Sequence, residues 1–228
     1  MSDAHDSESQ GHGDDGGDDH GHAHDHDGGH DHGHDHDGEH DNGHQCHDAA
    51  SVSVAVVTVT SSRTLKEDPS GEYLVSAFEA AGHEIAVHEL VRDEYDSVQG
   101  TVDRLARRDD TDAVVTTGGT GVTPDDVTPE AVEPLFAKTL PGFGELFRRL
   151  SYEEVGTHTI GSRAVAGVTT ATPVFCLPGS ENAVRLGVDE IILPEIGHLV
   201  GLASRDSDDD TEPEAEDEDA DGDADQAS

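Results

Sequence analysis

The sequence predicts an α/β domain with three layers, α/β/α, around a mostly parallel sheet, flanked by disordered tails. Two observations carry this prediction. Between residues 50 and 203, short β-branched runs alternate with segments whose apolar residues recur at helical spacing. Residues 1–49 and 204–228 are instead polar and highly charged, and such segments bury too little apolar surface to offset the chain entropy lost on folding. Right-handed crossovers are expected between the parallel strands.

Strands are predicted where short runs combine β-branched and apolar residues. The first run is almost continuously apolar, as a strand buried on both faces should be, whereas the second alternates apolar and polar residues. The predicted strands, in chain order, are 52–59, 84–90, 112–117, 163–168 and 173–177.

Helices are predicted where apolar residues recur every three or four positions. Gly82 is placed to end the first helix, and Val98, Val102 and Leu105 form the core-facing stripe of the second. Thr128-Pro129-Glu130 supplies an N-cap, a proline at the first helical position and an early acidic residue for the third. The predicted helices are 70–81, 95–108, 128–136, one that begins over 142–150, 180–189 and 194–202.

The formal charge of −40 divides unevenly along the chain. Residues 1–48 and 205–228 hold 28 of the 52 acidic residues, so the folded segment keeps 24 acidic residues against 11 Lys and Arg. Such an acidic surface, with only two lysines in the whole chain, is typical of a salt-loving microbe, in which molar salt shortens the Debye length to about 3 Å. A haloarchaeal source is therefore expected. Nucleic acid is not expected as a partner, because no basic patch is visible.

The chain is expected to be cytoplasmic. Its N-terminus is acidic and lacks the apolar core of a signal peptide. No apolar run reaches the roughly 18 residues of a membrane span, so no membrane association is expected. Cys46 lies in the N-terminal tail and Cys176 in a predicted buried strand, so a disulfide between them is not expected.

The run from Val114 to Glu130 carries most of the functional signal. After the third strand comes Thr117-Gly118-Gly119-Thr120-Gly121, where three glycines within four residues let the backbone turn sharply and approach a ligand. Asp125 and Asp126 follow, just before the predicted helix start. Backbone N–H groups at such a loop favour anions. A glycine-rich turn is more often only a turn, but the paired aspartates favour a phosphate-bearing ligand with a metal ion.

Loops that follow other predicted strands converge on the same edge of the sheet. Ligands of open α/β sheets bind beyond the carboxyl ends of the strands, and 60–71, 91–94 and 177–180 all lie there together with the glycine loop. Each has a purely structural alternative, since Asp68, Asp93 and Ser180 are also ordinary residues for a helix start.

Six motifs occur in order between residues 54 and 199. They are Asp68-Pro69-Ser70-Gly71; Thr117-Gly118-Gly119-Thr120-Gly121 with Asp126-Val127-Thr128-Pro129-Glu130-Ala131-Val132; Pro141-Gly142-Phe143-Gly144-Glu145; Leu150-Ser151-Tyr152-Glu153-Glu154-Val155-Gly156-Thr157; Ser162-Arg163-Ala164-Val165-Ala166-Gly167; and Leu177-Pro178-Gly179-Ser180. Together they resemble the MoaB/MogA family of molybdenum cofactor biosynthesis proteins, and the MoaB branch in particular. Neither tail is covered by the resemblance.

The resemblance implies that molybdopterin and ATP react, with Mg²⁺, to give adenylyl-molybdopterin and pyrophosphate. A later molybdenum-insertion enzyme would use the product, and the assembly would be a homotrimer or a hexamer. Asp126 and Asp93 match the family's two functional aspartates and are expected as catalytic residues and Mg²⁺ ligands, in keeping with the preference of Mg²⁺ for oxygen. Substrate-binding roles are expected for Thr117, Gly118, Gly119, Thr120, Gly121, Arg163, Pro178, Gly179 and Ser180.

Within that set, the glycine loop is expected to offer N–H groups to phosphate and Ser180 to hold the pterin phosphate. Arg163 is expected to act as the nearby cation, and a structural ion pair is the equal alternative for it. Two positions depart from the family pattern. Ser62 stands where many relatives have Asp or Asn, and Asp125 stands where MogA-like members often have Arg. The alternative function is therefore a molybdopterin-binding protein without catalysis.

The N-terminal tail carries alternating histidines that are candidate metal ligands. Neutral imidazole suits Zn²⁺, Ni²⁺, Co²⁺ and Cu²⁺, so a transition metal is expected on the tail, and a metal-buffering protein is a further alternative. A solvated acidic tail is the plain structural interpretation. The candidate ligands are His22, His24, His26, His32, His34, His36, His44, Cys46 and His47.

Overall fold

The computed structural model describes residues 48–61 and 67–204. The predictions for residues 1–47 and 205–228, including all the tail ligands, and for Ser62 lie outside the described residues. The predicted N-terminal tail was too long at its end, because Ala49 N donates to Gly197 O at 3.0 Å. Six strands form one sheet in the order β2-β1-β3-β6-β5-β4. β2, β1, β3 and β6 run parallel, and β5 is antiparallel to both of its neighbours. The strands are β1 (Ser53–Val59), β2 (Glu84–Val91), β3 (Ala113–Thr117), β4 (Lys138–Thr139), β5 (Val165–Val168) and β6 (Pro173–Leu177). The predicted mostly parallel α/β sheet is confirmed.

Within residues 48–61 and 67–204, six α-helices flank the sheet. They are α1 (Pro69–Ala80), α2 (Tyr95–Ala106), α3 (Thr128–Val132), α4 (Pro141–Val155), α5 (Glu181–Gly187) and α6 (Leu193–Ala203). The predicted third helix was too long: α3 gives way to a 3-10 turn over Glu133–Leu135, since Pro134 has no N–H to continue the helix. Among the described residues, no helix has the length and apolar character to cross a bilayer.

Two core clusters, one on each face of the sheet, make the three layers. Val54 and Val56 pack into the cluster that contains Phe78 and Phe175, on the side of α1, α4, α5 and α6. Ala55 and Val57 pack into the opposite cluster, with α2 and α3. Successive side chains of a strand point to opposite faces, so residues 54–57 of β1 are all apolar because both faces of the strand are covered.

Two features of the chain complete the frame. A π-helical segment, Val188–Ile192, joins α5 to α6 in one continuous helical run, where the sequence predicted two separate helices. Cys176 lies fully buried in β6 as a free thiol. Burial raises the pKa of the Cys176 thiol to about 12, so this thiol stays protonated and unreactive at neutral pH.

Candidate ligand-binding cleft

A cleft of about 630 Å³ lies at the carboxyl ends of β1, β3 and β6. It brings together the loops that follow these strands and β2, as expected of an open α/β sheet. The predicted site residues that line it are Asp93, Thr117, Gly118, Gly119, Thr120, Gly121, Asp126, Pro178, Gly179 and Ser180. Of the predicted substrate-binding residues, Arg163 alone does not line it.

The glycine loop has a backbone that only glycine accommodates. Gly118 has φ +104°, and a Cβ there would lie 2.1 Å from the carbonyl oxygen of Val59. Gly119 has φ +66°, and its Cβ would lie 2.3 Å from Thr128 Oγ1 and 2.8 Å from Asp93 Oδ1. The absent side chains let this loop pack against both β1 and the loop that carries Asp93.

Only part of the loop can offer N–H groups to a ligand. Gly118 N donates to the carbonyl of Leu177 at 3.0 Å, which corrects the expectation that Gly118 binds phosphate through its N–H. Gly121 N donates to the Asp126 carboxylate. Within the described part of the chain, the N–H groups of Gly119 and Thr120 have no acceptor, so these two N–H groups are available to donate to a ligand. The buried hydroxyl of Thr120 likewise has no partner among the described residues.

Asp126 is held as a carboxylate by its own loop. Its Oδ2 accepts hydrogen bonds from Thr123 N at 2.8 Å and from Thr123 Oγ1 at 2.6 Å. Desolvation pushes the pKa of Asp126 upward, but these bonds, the Gly121 N–H and the charge of Arg163 together hold it below its usual value. Asp126 is therefore ionised over the whole neutral range.

Asp93 lies in the opposite environment. It is partly buried, and its Oδ1 accepts one long hydrogen bond from Val127 N at 3.4 Å. Desolvation raises the pKa of Asp93, and repulsion from Asp126 and Asp125 raises it further against that single hydrogen bond. The two predicted metal ligands are thus close enough to interact electrostatically, and Asp125, one of the departures from the family pattern, adds to the repulsion.

Arg163 lies on the far side of the glycine loop. Its Nε donates to Gly121 O at 2.7 Å and its NH2 group donates to Asp126 O at 2.8 Å. Its NH1 group pairs with the Glu130 carboxylate. Each of the three guanidinium nitrogens therefore has a partner, and Arg163 holds the glycine loop in place. The ion pair with Glu130 is the structural alternative for this residue, and its expected role as the substrate's cation stays a prediction.

The loop after β6 closes one side of the cleft. Thr117 Oγ1 donates to Pro178 O at 3.0 Å, which ties this loop to the end of β3. Ser180 caps α5, with Ala183 N donating to its Oγ at 3.4 Å. Ser180 is exposed, and a capping hydroxyl accepts that bond while keeping its own proton to donate. The structural and the ligand-binding roles of Ser180 are therefore compatible.

Sequence reasoning missed the opposite wall of the cleft. This wall comes from α4 and the 3-10 turn that follows it, Gly156–Gly161. The apolar residues Tyr152, Val155 and Ile160 lie exposed along the same stretch, but only the structure reveals that exposure. The missed lining residues are Phe147, Ser151, Glu154, Val155, His158, Thr159, Gly161 and Ser162.

The cleft as a whole is acidic. Its described lining includes the carboxylates Asp93, Asp126 and Glu154, and His158 is the only described lining side chain that can become cationic. An anionic ligand would therefore enter a negatively charged cleft, which is unfavourable unless a cation accompanies it.

Residues 55–198 match a family model described as "Probable molybdopterin binding domain". Over 156 residues the chain is 48% identical to molybdenum cofactor biosynthesis protein B of Bacillus subtilis, which covers 68% of this chain and 92% of that relative. The fold also resembles solved structures.

A crystal structure of a molybdenum cofactor biosynthesis protein B superposes with a TM-score of 0.67 at 42% identity, covering 68% of this chain and 97% of that one. The tungsten cofactor synthesizing protein MoaB from Pyrococcus furiosus superposes with a TM-score of 0.61 at 38% identity, covering 67% and 97%.

Proposed function

The chain belongs to the MoaB/MogA family of molybdopterin-binding domains, which act in molybdenum cofactor biosynthesis, and we propose that it adenylylates molybdopterin with ATP and Mg²⁺. One observation supports this most directly. The same cleft holds the N–H groups of Gly119 and Thr120, which have no acceptor among the described residues and suit phosphate. It also holds the interacting carboxylates Asp93 and Asp126, which suit a divalent cation.

The charge of the cleft supports a requirement for Mg²⁺. Molybdopterin and ATP are both anions, and the charged groups of the described lining are carboxylates. No group of three or more His, Cys, Asp or Glu side chains among the described residues forms a closed metal cage. Mg²⁺ needs no such cage, because it is typically held by one or two carboxylates together with substrate phosphates and waters. Asp93 and Asp126 fit that pattern.

In the proposed reaction, a phosphate oxygen of molybdopterin attacks the α-phosphorus of ATP in line. A new P–O bond forms, the bond to the β-phosphate oxygen breaks, and pyrophosphate leaves with the electron pair. Bound Mg²⁺ supplies neutralisation of the developing charge. The protein mainly positions the two anions: Gly119 and Thr120 donate N–H groups to phosphate, and Ser180 donates its hydroxyl to the pterin phosphate.

The test is an adenylylation assay with molybdopterin, ATP and Mg²⁺ at high salt. Asp126→Asn and Asp93→Asn should each lower kcat/KM on the order of 10²–10³-fold, because each removes charge from the phosphate and metal site. Asp125→Asn is the control, since it removes a neighbouring exposed carboxylate that is not assigned to the metal. Full activity in both test variants would refute the site, and a wild type that binds molybdopterin without turnover would instead be a non-catalytic pterin-binding protein.

We also propose that the protein assembles as a homotrimer or hexamer. Tyr152, Val155 and Ile160 are exposed by 58%, 47% and 89% on one stretch of α4 and the turn after it. Apolar residues clustered in this way mark contact surfaces. Light scattering of the full chain at high salt measures the mass, and a monomeric mass would refute the assembly.

A second function, proposed from sequence alone, is transition-metal binding by the histidine-rich N-terminal segment. Residues 1–48 hold 13 of the 17 histidines, and imidazole binds Zn²⁺, Ni²⁺, Co²⁺ and Cu²⁺. The full chain should bind several such ions, and a chain beginning at residue 49 should not. Unchanged cofactor yield in cells that carry the truncated chain under metal limitation would show that this binding has no role in cofactor maturation.

A further inference from the structure

The motif Asp68-Pro69-Ser70-Gly71 has no role in the function proposed above. It forms the start of α1, beside the carboxyl ends of β1 and β2. Asp68 is completely buried, and Ser70 is 1% exposed. A buried carboxylate is costly unless hydrogen bonds satisfy it, so the contacts of Asp68 show what this motif holds in place.

Asp68 is the centre of a polar cluster with Thr58, Gly71 and His88, here called the Asp68 cluster. Gly71 N donates to Asp68 Oδ1 at 3.0 Å, which caps α1. Thr58 Oγ1 donates a short hydrogen bond to Asp68 Oδ2, and His88 Nε2 lies 3.4 Å from the same oxygen. The cluster therefore joins β1 and β2 to the first turn of α1.

Gly71 leaves the space that the cluster occupies. A Cβ at this position would lie 2.1 Å from Asp68 Oδ2 and 2.6 Å from both His88 Nε2 and Thr58 Oγ1. Since no side chain fits there, the first turn of α1 sits directly on the polar groups. The position of Ser70, one residue earlier, is thereby fixed relative to the sheet.

Ser70 extends this fixed position to the cleft. Its hydroxyl donates to the carbonyl of Gly179 at 3.0 Å, across 109 residues of sequence. Gly179 in turn packs on the glycine loop, because a Cβ there would lie 3.1 Å from Gly118 Cα. The chain of contacts thus runs from the Asp68 cluster through Ser70 to the loop that carries Ser180.

We propose that Ser70 is a positioning residue for the pterin-phosphate side of the cleft, with the Asp68 cluster holding it in place. Without the hydroxyl, Gly179 loses a partly buried hydrogen bond, and Ser180 loses the fixed backbone that aims its side chain. This inference deepens the proposed function and rests on it. It concerns the binding of molybdopterin rather than that of ATP, since Ser180 is assigned to the pterin phosphate.

The experiment compares Ser70→Ala with Ser76→Ala in the full chain. Ser76 is the matched control because it lies on the same helix and its hydroxyl also donates to backbone carbonyls, Glu72 O at 2.9 Å and Tyr73 O at 3.0 Å, but it is exposed. Equilibrium binding of molybdopterin and, separately, of ATP with Mg²⁺ is measured for each. We expect Ser70→Ala to raise the Kd for molybdopterin about 5- to 10-fold, because the loop that carries Ser180 is no longer held in its binding conformation before the ligand arrives. Its Kd for ATP, and both values for Ser76→Ala, should not change.

Two further variants separate positioning from general stability. Ser70→Thr keeps the hydroxyl and should recover most of the molybdopterin affinity, even though the added methyl group lowers the Tm. Thr58→Val removes a donor from Asp68 and should weaken molybdopterin binding in the same direction as Ser70→Ala. A Kd that follows the Tm across all variants, for both ligands alike, would overturn the positioning role.

The outcomes also distinguish this inference from the proposed function. If wild type binds molybdopterin and Ser70→Ala binds it equally well, only the inference is overturned. If wild type binds no molybdopterin, the proposed function falls and the inference falls with it.

Discussion

The loop that carries Asp93 and the glycine loop that carries Asp126 both face one cleft, yet they shift the pKa values of their carboxylates in opposite directions. Asp126 receives N–H and hydroxyl hydrogen bonds from Thr123 and lies near Arg163, and its pKa is lowered. Asp93 receives one long hydrogen bond, and desolvation and two neighbouring aspartates raise its pKa. Asp126 is therefore ionised without any ligand. Asp93 is the carboxylate whose ionised form a bound cation would stabilise more.

This difference gives the two aspartates distinct roles under the proposed function. A divalent cation between them would remove the repulsion that raises the pKa of Asp93, whereas Asp126 is already satisfied by its own loop. Asp126 then stays ionised with or without the cation, whereas the charge of Asp93 depends on whether the cation is bound. Variants of the glycine loop test whether this contrast depends on the loop's geometry.

The largest effect on stability is expected from Gly118→Ala, which should displace the glycine loop and so remove the difference between the environments of Asp93 and Asp126. A Cβ at φ +104° and 2.1 Å from Val59 O requires the loop to move away from β1, which should cost about 3 kcal/mol or more of unfolding free energy. Gly142→Ala is the control, because a Cβ at that helical position meets no atom within 4 Å and should be neutral or stabilising by up to about 1 kcal/mol. Urea unfolding at high salt measures both, and equal stability of the two variants would contradict the described backbone.

A smaller effect on stability is expected from Arg163→Ala, which should also reduce the difference between the pKa values of Asp93 and Asp126. Loss of the bonds to Gly121 O, Asp126 O and Glu130 should destabilise the fold by about 1–3 kcal/mol. Without the nearby charge, the pKa of Asp126 should rise, as followed by NMR titration of the aspartate carboxyl carbons. Arg107→Ala is the control, because its exposed pair with Asp103 should contribute no more than about 0.5 kcal/mol.

Arg163→Lys separates charge from geometry. Lysine keeps the positive charge but cannot donate to three oxygens from a planar fork. We expect it to restore the pKa of Asp126 in part and the stability hardly at all. Full recovery of both would mean that the guanidinium geometry, and with it the positioning role, is not needed.

The sequence predicted features set by local pattern and missed those set by tertiary packing. The two-sided apolar strand β1 and the glycine loop follow from residue type and spacing, and both lie where expected. The wall from Ser151 and His158 could not be predicted, since these residues reach the cleft only because α4 packs beside α5. Strand β4, with two residues, is too short to show any periodicity.

The partners of Arg163 could not be predicted from residue type. The sequence shows a cation near the site, but its direction depends on carbonyls about 40 residues away, at Gly121 and Asp126. Similarly, a glycine-rich loop predicts available N–H groups, and only the pairing of β3 with β6 reveals that Gly118 N is already bound to Leu177 O. Residue type therefore predicted which loops meet, whereas the fold determines which atoms remain free.

The smallest effects on stability are expected from Asp93→Asn and Asp126→Asn, which should change the free energy of unfolding in opposite directions. The raised pKa of Asp93 means that folding favours its protonated form, so its contribution is present at low pH and is lost as the pH rises through its folded pKa. Asp93→Asn should therefore stabilise the fold at neutral pH, with the gain disappearing on acidification. The lowered pKa of Asp126 means the reverse: its contribution is present at neutral pH and is lost as the pH falls through its folded pKa. Asp126→Asn should destabilise at neutral pH, and that loss should disappear at low pH.

Both differences should stay below about 1 kcal/mol, because solvent screens these partly exposed groups. Unfolding free energies of the wild type, the two variants and Asp125→Asn, measured between pH 7 and pH 3, give the sign directly. Asp125→Asn controls for removing a negative charge from the same acidic surface, which by itself stabilises an overcharged protein. If Asp93→Asn and Asp126→Asn change stability in the same direction once that control is subtracted, the two loops do not treat their carboxylates differently. There would then be no reason to expect that cation binding changes the pKa of Asp93 more than that of Asp126.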